Sequence, residues 1–237
     1  MPESEAAGDL ILREPERFAQ LVEERFRWVV EHHPVVGSFL GLHEYDDRLG
    51  DGSREAVMAE IESARRFEAG LAALPADELA PANQIERELA LVATRQRLFD
   101  LEIGRQWERR TSVADDVGEA VFVLFARGSR PLRDRLGSIA ARLEQVPRLA
   151  QQQRSRLGAR PMRLWNELEL DAAASLPALI GEVVTAADGE LGADSAEAHR
   201  LHAAVSGASA ALEDYRAWLA GQLDRATDEF GLGREAY

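Results

Sequence analysis

Apolar residues recur at intervals of three and four along nearly the whole chain, and almost no segment alternates with period two. The pattern predicts an all-α protein, an irregular multi-helix bundle. A first helix is expected to begin near Glu14-Pro15, where proline suits the first turn. It would carry Phe18, Leu21, Val22, Phe26, Val29 and Val30 on one face and stop after His33, before Pro34. A loop rich in Gly, Asp and His follows, from Pro34 to Gly52. Ser53 then caps a second helix with Val57, Ile61, Ala64, Phe67, Leu71 and Leu74 inward, closed by Pro75. After Pro81 a third helix sets Ile85, Leu89, Val92, Gln96, Phe99 and Ile103 at spacings of four and three, a seam suited to packing along a neighbour.

Gly104 to Ser112 is a connection that holds Trp107. It precedes a short apolar helix through Val117, Val121, Leu124 and Phe125. Arg127-Gly128-Ser129-Arg130-Pro131 breaks that helix, and the next presents Leu132, Leu136, Ile139, Leu143 and Val146. Pro147 separates a continuation through Leu149 and Leu157. Met162 to Ala187 reads as a long helix carrying Trp165, Leu168, Ala172, Leu176, Leu179 and Val183, kinked at Pro177. After a linker at Asp188-Gly189 and Leu191-Gly192, Asp194 with Glu197 makes a capping-box-like start to a last helix. Leu201, Val205, Ala208, Leu212, Tyr215, Leu219 and Leu223 line it. No repeat is visible, so a solenoid is not supported. Residues 1–237 read as a single helical region, with a point of subdivision near 104–112. The tail from Phe230 to Tyr237 stops in mid-pattern, and more protein is expected to follow it.

Composition removes function classes. The chain has no cysteine, and its 28 basic residues are all arginine. Disulfides, thiolate nucleophiles and Cys-ligated metals are excluded, as are a Walker lysine and a Schiff-base lysine. With 42 acidic residues and a net charge of −14, the surface would repel nucleic acid. The acidic start Met1-Pro2-Glu3-Ser4-Glu5 has no positive or apolar leader pattern, and no apolar run approaches the ~18 residues of a membrane span. The expectation is a cytoplasmic protein without a membrane partner.

The loop after the first helix concentrates polar chemistry beside glycines. His43, Tyr45, Asp46 and Arg48 are the candidate substrate contacts, because ordered loops favour functional groups. The alternative is that these residues satisfy their own loop, with Asp46 and Asp47 capping a turn or pairing with Arg48. His199 and His202 share a helical face but have no third ligand at helical spacing. Ser38 is not in a nucleophile elbow, because Gly37 and Gly41 stand at the wrong offsets. Gly231-Leu232-Gly233 lacks the third glycine and preceding strand of a dinucleotide loop. Glu167 with Glu169 and Asp115 with Asp116 read as solvated faces or helix starts. The four tryptophans read as packing residues. No catalytic residue and no metal ligand is assigned.

The run Leu40-Gly41-Leu42-His43-Glu44-Tyr45-Asp46-Asp47-Arg48-Leu49, followed by Asp51-Gly52-Ser53, resembles the N-terminal signature of a large bacterial family known as domain of unknown function 885. Arg142-Leu143-Glu144-Gln145-Val146-Pro147 and Tyr215-Arg216-Ala217-Trp218-Leu219 through to Tyr237 support the resemblance. It implies a branch of the helical zinc metallopeptidase-like proteins, hydrolases whose H-E-x-x-H metal helix lies in the C-terminal half. That motif is absent here. The resemblance therefore implies the N-terminal helical cleft wall or lid of a longer protein, inactive alone. Its partners would be the C-terminal catalytic half, which would hold the zinc, and a peptide substrate. The alternative is a stand-alone helical binding or scaffold protein that has lost catalysis. A wide exposed apolar face near Trp165 or Trp218 would favour the first, and a fully polar surface the second.

Overall fold

The computed structural model describes residues 14–192, 194–229, 231 and 233. It is 80% helical, with no strand among the described residues. The helices are α1 (Glu14–His32), α2 (Pro34–Phe39), α3 (Arg54–Ala73), α4 (Pro81–Phe99), α5 (Gln106–Arg109), α6 (Val113–Ala126), α7 (Leu132–Leu143), α8 (Val146–Arg156), α9 (Arg163–Leu191) and α10 (Ala196–Ala220). The multi-helix all-α expectation is met.

The main core is built by α6 to α10. Val117, Val121, Leu136, Ile139, Leu143, Val183, Leu201 and Leu219 are all but sealed from solvent there. A smaller core joins α1, α3 and α4 through Phe18, Leu71, Leu74, Leu79 and Leu91. Val57, Leu101 and Trp107 form a third small cluster. Burying a large aliphatic side chain contributes roughly 1.5–3 kcal/mol, so the five-helix core supplies most of the apolar stabilisation.

Several boundaries follow their sequence signals. Ser53 caps α3, its side chain accepting from the Ala56 amide at 3.2 Å. The segment from Pro34 to Gly52, expected as a loop, is instead partly helical. Pro34 stops α1 and also opens α2, and a 3₁₀ turn covers His43–Tyr45. Ser195, not Asp194, caps α10, accepting from the Ala198 amide at 3.1 Å. The expected linker at Asp188-Gly189 is helical, because α9 runs to Leu191 and ends where Gly192 takes a φ of +79°. Pro177 lies within α9, which continues through it. The tail residues Phe230, Leu232 and 234–237 lie outside the described residues, as does the acidic start.

The largest correction concerns which face of α4 is buried. Ile85, Leu89 and Val92 are each 64% exposed and Ile103 is 52% exposed, while Arg87, Leu91, Thr94 and Leu98 face inward. The helix is apolar on two sides, and periodicity alone cannot choose between them. Arg87 decides the choice. Its Nε donates to the Leu71 carbonyl at 2.8 Å, satisfying the C-terminal end of α3 from the neighbouring helix. Val22 and Phe26 of α1 and Leu168 of α9 are likewise exposed rather than inward. On α9 the buried line runs through Asn166, Glu169, Ala173, Leu176, Ile180, Val183 and Ala187. By length and composition α9 is apolar enough to cross a membrane. In this fold it packs against α6, α7 and α10.

The two faces of α4 make a direct test. Leu91→Ala should cost about 2–4 kcal/mol in urea unfolding, while Leu89→Ala should stay within about 0.5 kcal/mol. A larger cost at Leu89 than at Leu91 would mean that the seam, not the Arg87 face, is the packed one.

Candidate functional site

The signature loop is pinned from below by two arginines. Asp46, 2% exposed, accepts from Ser38 Oγ at 2.7 Å, His43 Nδ1 at 2.9 Å and Arg130 Nη1 at 3.0 Å. Burial alone would raise its carboxyl, but these three donors outweigh it and hold the pKa below the usual carboxylate range. Arg142 of α7 is 1% exposed and donates to three elements at once: the Ala120 carbonyl of α6 at 2.5 Å, Ser38 Oγ of α2 at 2.5 Å and the Tyr45 carbonyl at 3.3 Å. Burial brings its pKa down to about 10, against the opposing pull of Asp46 and Asp47. Gln145 completes the clamp, accepting from the Leu49 amide at 3.1 Å and donating to the Asp47 carbonyl at 2.8 Å. Gly37 is required where it stands, since a Cβ there would lie 2.7 Å from a Tyr45 ring carbon.

Beside this loop opens a cleft of about 760 Å³. One wall comes from α1, α3 and α4. Glu60, 6% exposed, takes Arg97 bidentately at 2.7 and 3.0 Å, and His33 Nε2 lies 3.6 Å from the Oε2 that accepts from Arg97 Nη2. Burial pushes the Glu60 carboxyl up, but Arg97 and His33 more than compensate, so its pKa is lowered. Burial lowers the pKa of His33, with Glu60 opposing. The facing wall comes from α6 and α8. Gln153, 1% exposed, accepts from the Ser112 amide at 2.7 Å and donates to Asp116 Oδ2 at 2.6 Å. Burial raises the Asp116 pKa despite this bond. Trp28 and Trp107 add aromatic surface to the lining.

The N-terminus of α6, which carries Asp116 into the cleft, is held from α9. Glu169, 1% exposed, accepts from the Ala114 amide at 2.7 Å and from Tyr215 Oη at 2.8 Å, and Tyr215 Oη lies 2.6 Å from Thr111 Oγ1. A carboxylate from another helix thus caps α6. Burial drives its pKa up to about 7, against these hydrogen bonds.

Of the candidate contacts, Arg48 lines the cleft. There it grips Glu31 at 2.7 and 3.1 Å and lies over the Tyr45 ring. His43, Tyr45 and Asp46 sit behind the cleft in the loop's own network and are not part of its lining. His202 pairs with Asp188 at 2.8 Å and His199 is exposed on α10. Among the described residues no three His, Asp or Glu side chains converge on a metal position. The sequence reading missed Glu60, Gln153 and Arg156, and it took Asp116 and Glu169 for solvated faces or helix starts; Asp116 does lie in the first turn of α6, while Glu169 is buried. Glu60, Gln153 and Glu169 share one signal, a polar residue standing at a core register, as Glu60 does between Val57 and Ala64.

The family described as bacterial protein of unknown function (DUF885) matches residues 34–237. No curated protein matches the chain. Among solved structures, a candidate lipoprotein of unknown function from Shewanella oneidensis is similar, with a TM-score of 0.76 at 19% identity over 87% of this chain. At that identity the likeness is one of fold, and this chain spans 38% of the neighbour's length.

Two outcomes test the polar network. Arg142→Met, which strips the donor from three elements, should cost about 3–5 kcal/mol of stability in urea unfolding. Glu169 binds its proton more tightly in the folded chain than in the unfolded one. Its contribution is therefore intact below pH 4.5 and is lost as pH rises through about 7. At ~1.4 kcal/mol per unit, that loss is of order 3 kcal/mol. Glu169→Gln keeps an acceptor for Ala114 and Tyr215, so the variant should flatten the wild-type fall in Tm between these pH values. An unchanged pH profile would rule out this carboxyl as the titrating group.

Proposed function

This chain belongs to the bacterial family of proteins of unknown function DUF885, and from that membership we propose that it forms the helical wall or lid of a peptide-binding cleft in a metallopeptidase-like protein. The observation that carries the reading is the cleft itself, a cavity of about 760 Å³ with buried, hydrogen-bonded charges on both walls and two indoles in its lining. A preformed cavity with a few fixed polar groups is what a ligand site requires. In this reading the chain is not catalytic by itself. The zinc and the hydrolytic groups belong to a C-terminal half supplied by the parent protein.

Surface chemistry supports a partner. Leu164 and Leu168 are 54% and 56% exposed on either side of Trp165, and Phe122 is 57% exposed on α6. A stand-alone scaffold would be expected to keep such positions polar. The alternative of an independent binding protein draws its support from the closed five-helix core.

With the isolated chain, zinc titration should show no tight site and peptidase assays no turnover. Unstructured peptides should shift the indole N–H signals of Trp28 and Trp107 in NMR spectra. Zinc-dependent hydrolysis by this chain alone, or indoles unmoved by any peptide, would overturn the reading.

A further inference from the structure

The cleft contains one guanidinium that the protein leaves unmatched. Arg48 is taken by Glu31, Arg97 by Glu60, and Arg148 by Gln152, Gln145 and the Gly50 carbonyl. Arg156, the last residue of α8, makes no ion pair or hydrogen bond among the described residues, and its Nε is sealed from solvent without an acceptor. Asp116, the acidic group that acts on it electrostatically, is engaged by Gln153 and Ser112. Burial lowers the pKa of Arg156. A desolvated, unpaired guanidinium is costly to keep, and such groups concentrate where a ligand supplies the missing charge.

The surroundings define what would supply it. Gly158, two residues beyond Arg156, donates to the Glu108 carbonyl at 2.7 Å, which brings α5 and its Trp107 alongside. The indole stands in the same lining as Arg156. The planar guanidinium fork fits a carboxylate bidentately. Trp107, 8% exposed and covered by the guanidiniums of Arg54 and Arg105 at 4.7 and 5.8 Å from its ring centroid, gives the adjoining lining a rigid apolar edge.

We propose that Arg156 anchors the carboxylate of a peptide, laid along α8 toward Trp107. The proposal rests on the reading of the cleft as a peptide site and adds to it the group that fixes the peptide's end or acidic side chain.

N-acetyl-trialanine as the free acid, the same peptide as its C-terminal amide, and the amide with its last residue replaced by aspartate separate the two sources of carboxylate. Each is titrated into the whole chain by calorimetry, and the Arg156 Nε–H signal is followed by NMR. At least one carboxylate form should bind about tenfold or more tightly than the plain amide and move that signal, and whichever form does so identifies the source. Arg156→Gln should bring that form down to the level of the amide, and Arg156→Lys should restore only part of the preference. Equal binding of all three peptides, or a preference that survives Arg156→Gln, would overturn the anchor while leaving the cleft reading intact. No binding of any peptide would overturn both. The Nε–H response in the wild-type chain needs no variant, so a folding defect in either substitution leaves the test standing.

Discussion

One buried guanidinium sets the geometry on which the candidate site depends. Arg142 reaches an α6 carbonyl, the α2 hydroxyl of Ser38 and the Tyr45 carbonyl from a position 1% exposed. The loop therefore cannot shift without leaving acceptors unsatisfied in a low-dielectric interior. Through Ser38 the same cation reaches Asp46, and through Asp46 it reaches His43 and Arg130. The polar density of the loop, which reads from sequence as ligand chemistry, is in large part what it takes to bury this charge.

The all-arginine composition gains a structural meaning from the same interaction. Helix ends leave carbonyls without partners, and here forked side chains from neighbouring helices reach them. Arg87 serves the end of α3, and Arg135 donates to Leu124 and Phe125 at the end of α6 at 2.9 and 2.6 Å. One guanidinium can serve two carbonyls at fixed angles, which a compact ammonium on a flexible stem does less well. The same chemistry makes Arg156 stand out, because it is a fork with nothing in its grasp.

The sequence was most readable where one signal acted alone. Ser53 capped its helix, and the large apolar residues read as inward on α6, α7 and α10 are buried or half-buried, because on these helices no rival line of large apolar residues competes at the same spacing. It misled where two stripes competed. On α4 the better coiled-coil spacing is the exposed one, and on α9 the line through Leu168 lost to the adjacent line through Glu169. In both cases a polar side chain took a core position because a backbone group across the interface needed it, and no count of apolar residues along one helix records that need. The site divides in the same way. The stretches Pro34 to Leu49 and Arg142 to Pro147, noticed separately, prove to be two sides of one clamp. The cleft residues Glu60, Asp116 and Gln153 come from three helices that only the fold brings together.

The cleft lies along the seam between the small core of α1, α3 and α4 and the large core of α6 to α10, and each core supplies one wall. That seam is closed mainly by polar and close backbone contacts. The Gly52 amide donates to Gln152 Oε1 at 3.1 Å, and Gly52 itself lies so near α8 that a Cβ would come within 2.8 Å of Leu149. The apolar part of the seam is the small cluster of Val57, Leu101 and Trp107. Hydrogen bonds fix direction and register but contribute a modest net stability each, about 1 kcal/mol, whereas apolar burial resists separation in proportion to area. The two walls are therefore precisely registered yet joined with less apolar burial than either core has within itself. A ligand that bridges Arg156 on one wall and residues of the facing wall would add its binding energy across this seam, stabilising the folded arrangement by an amount set by its affinity and concentration.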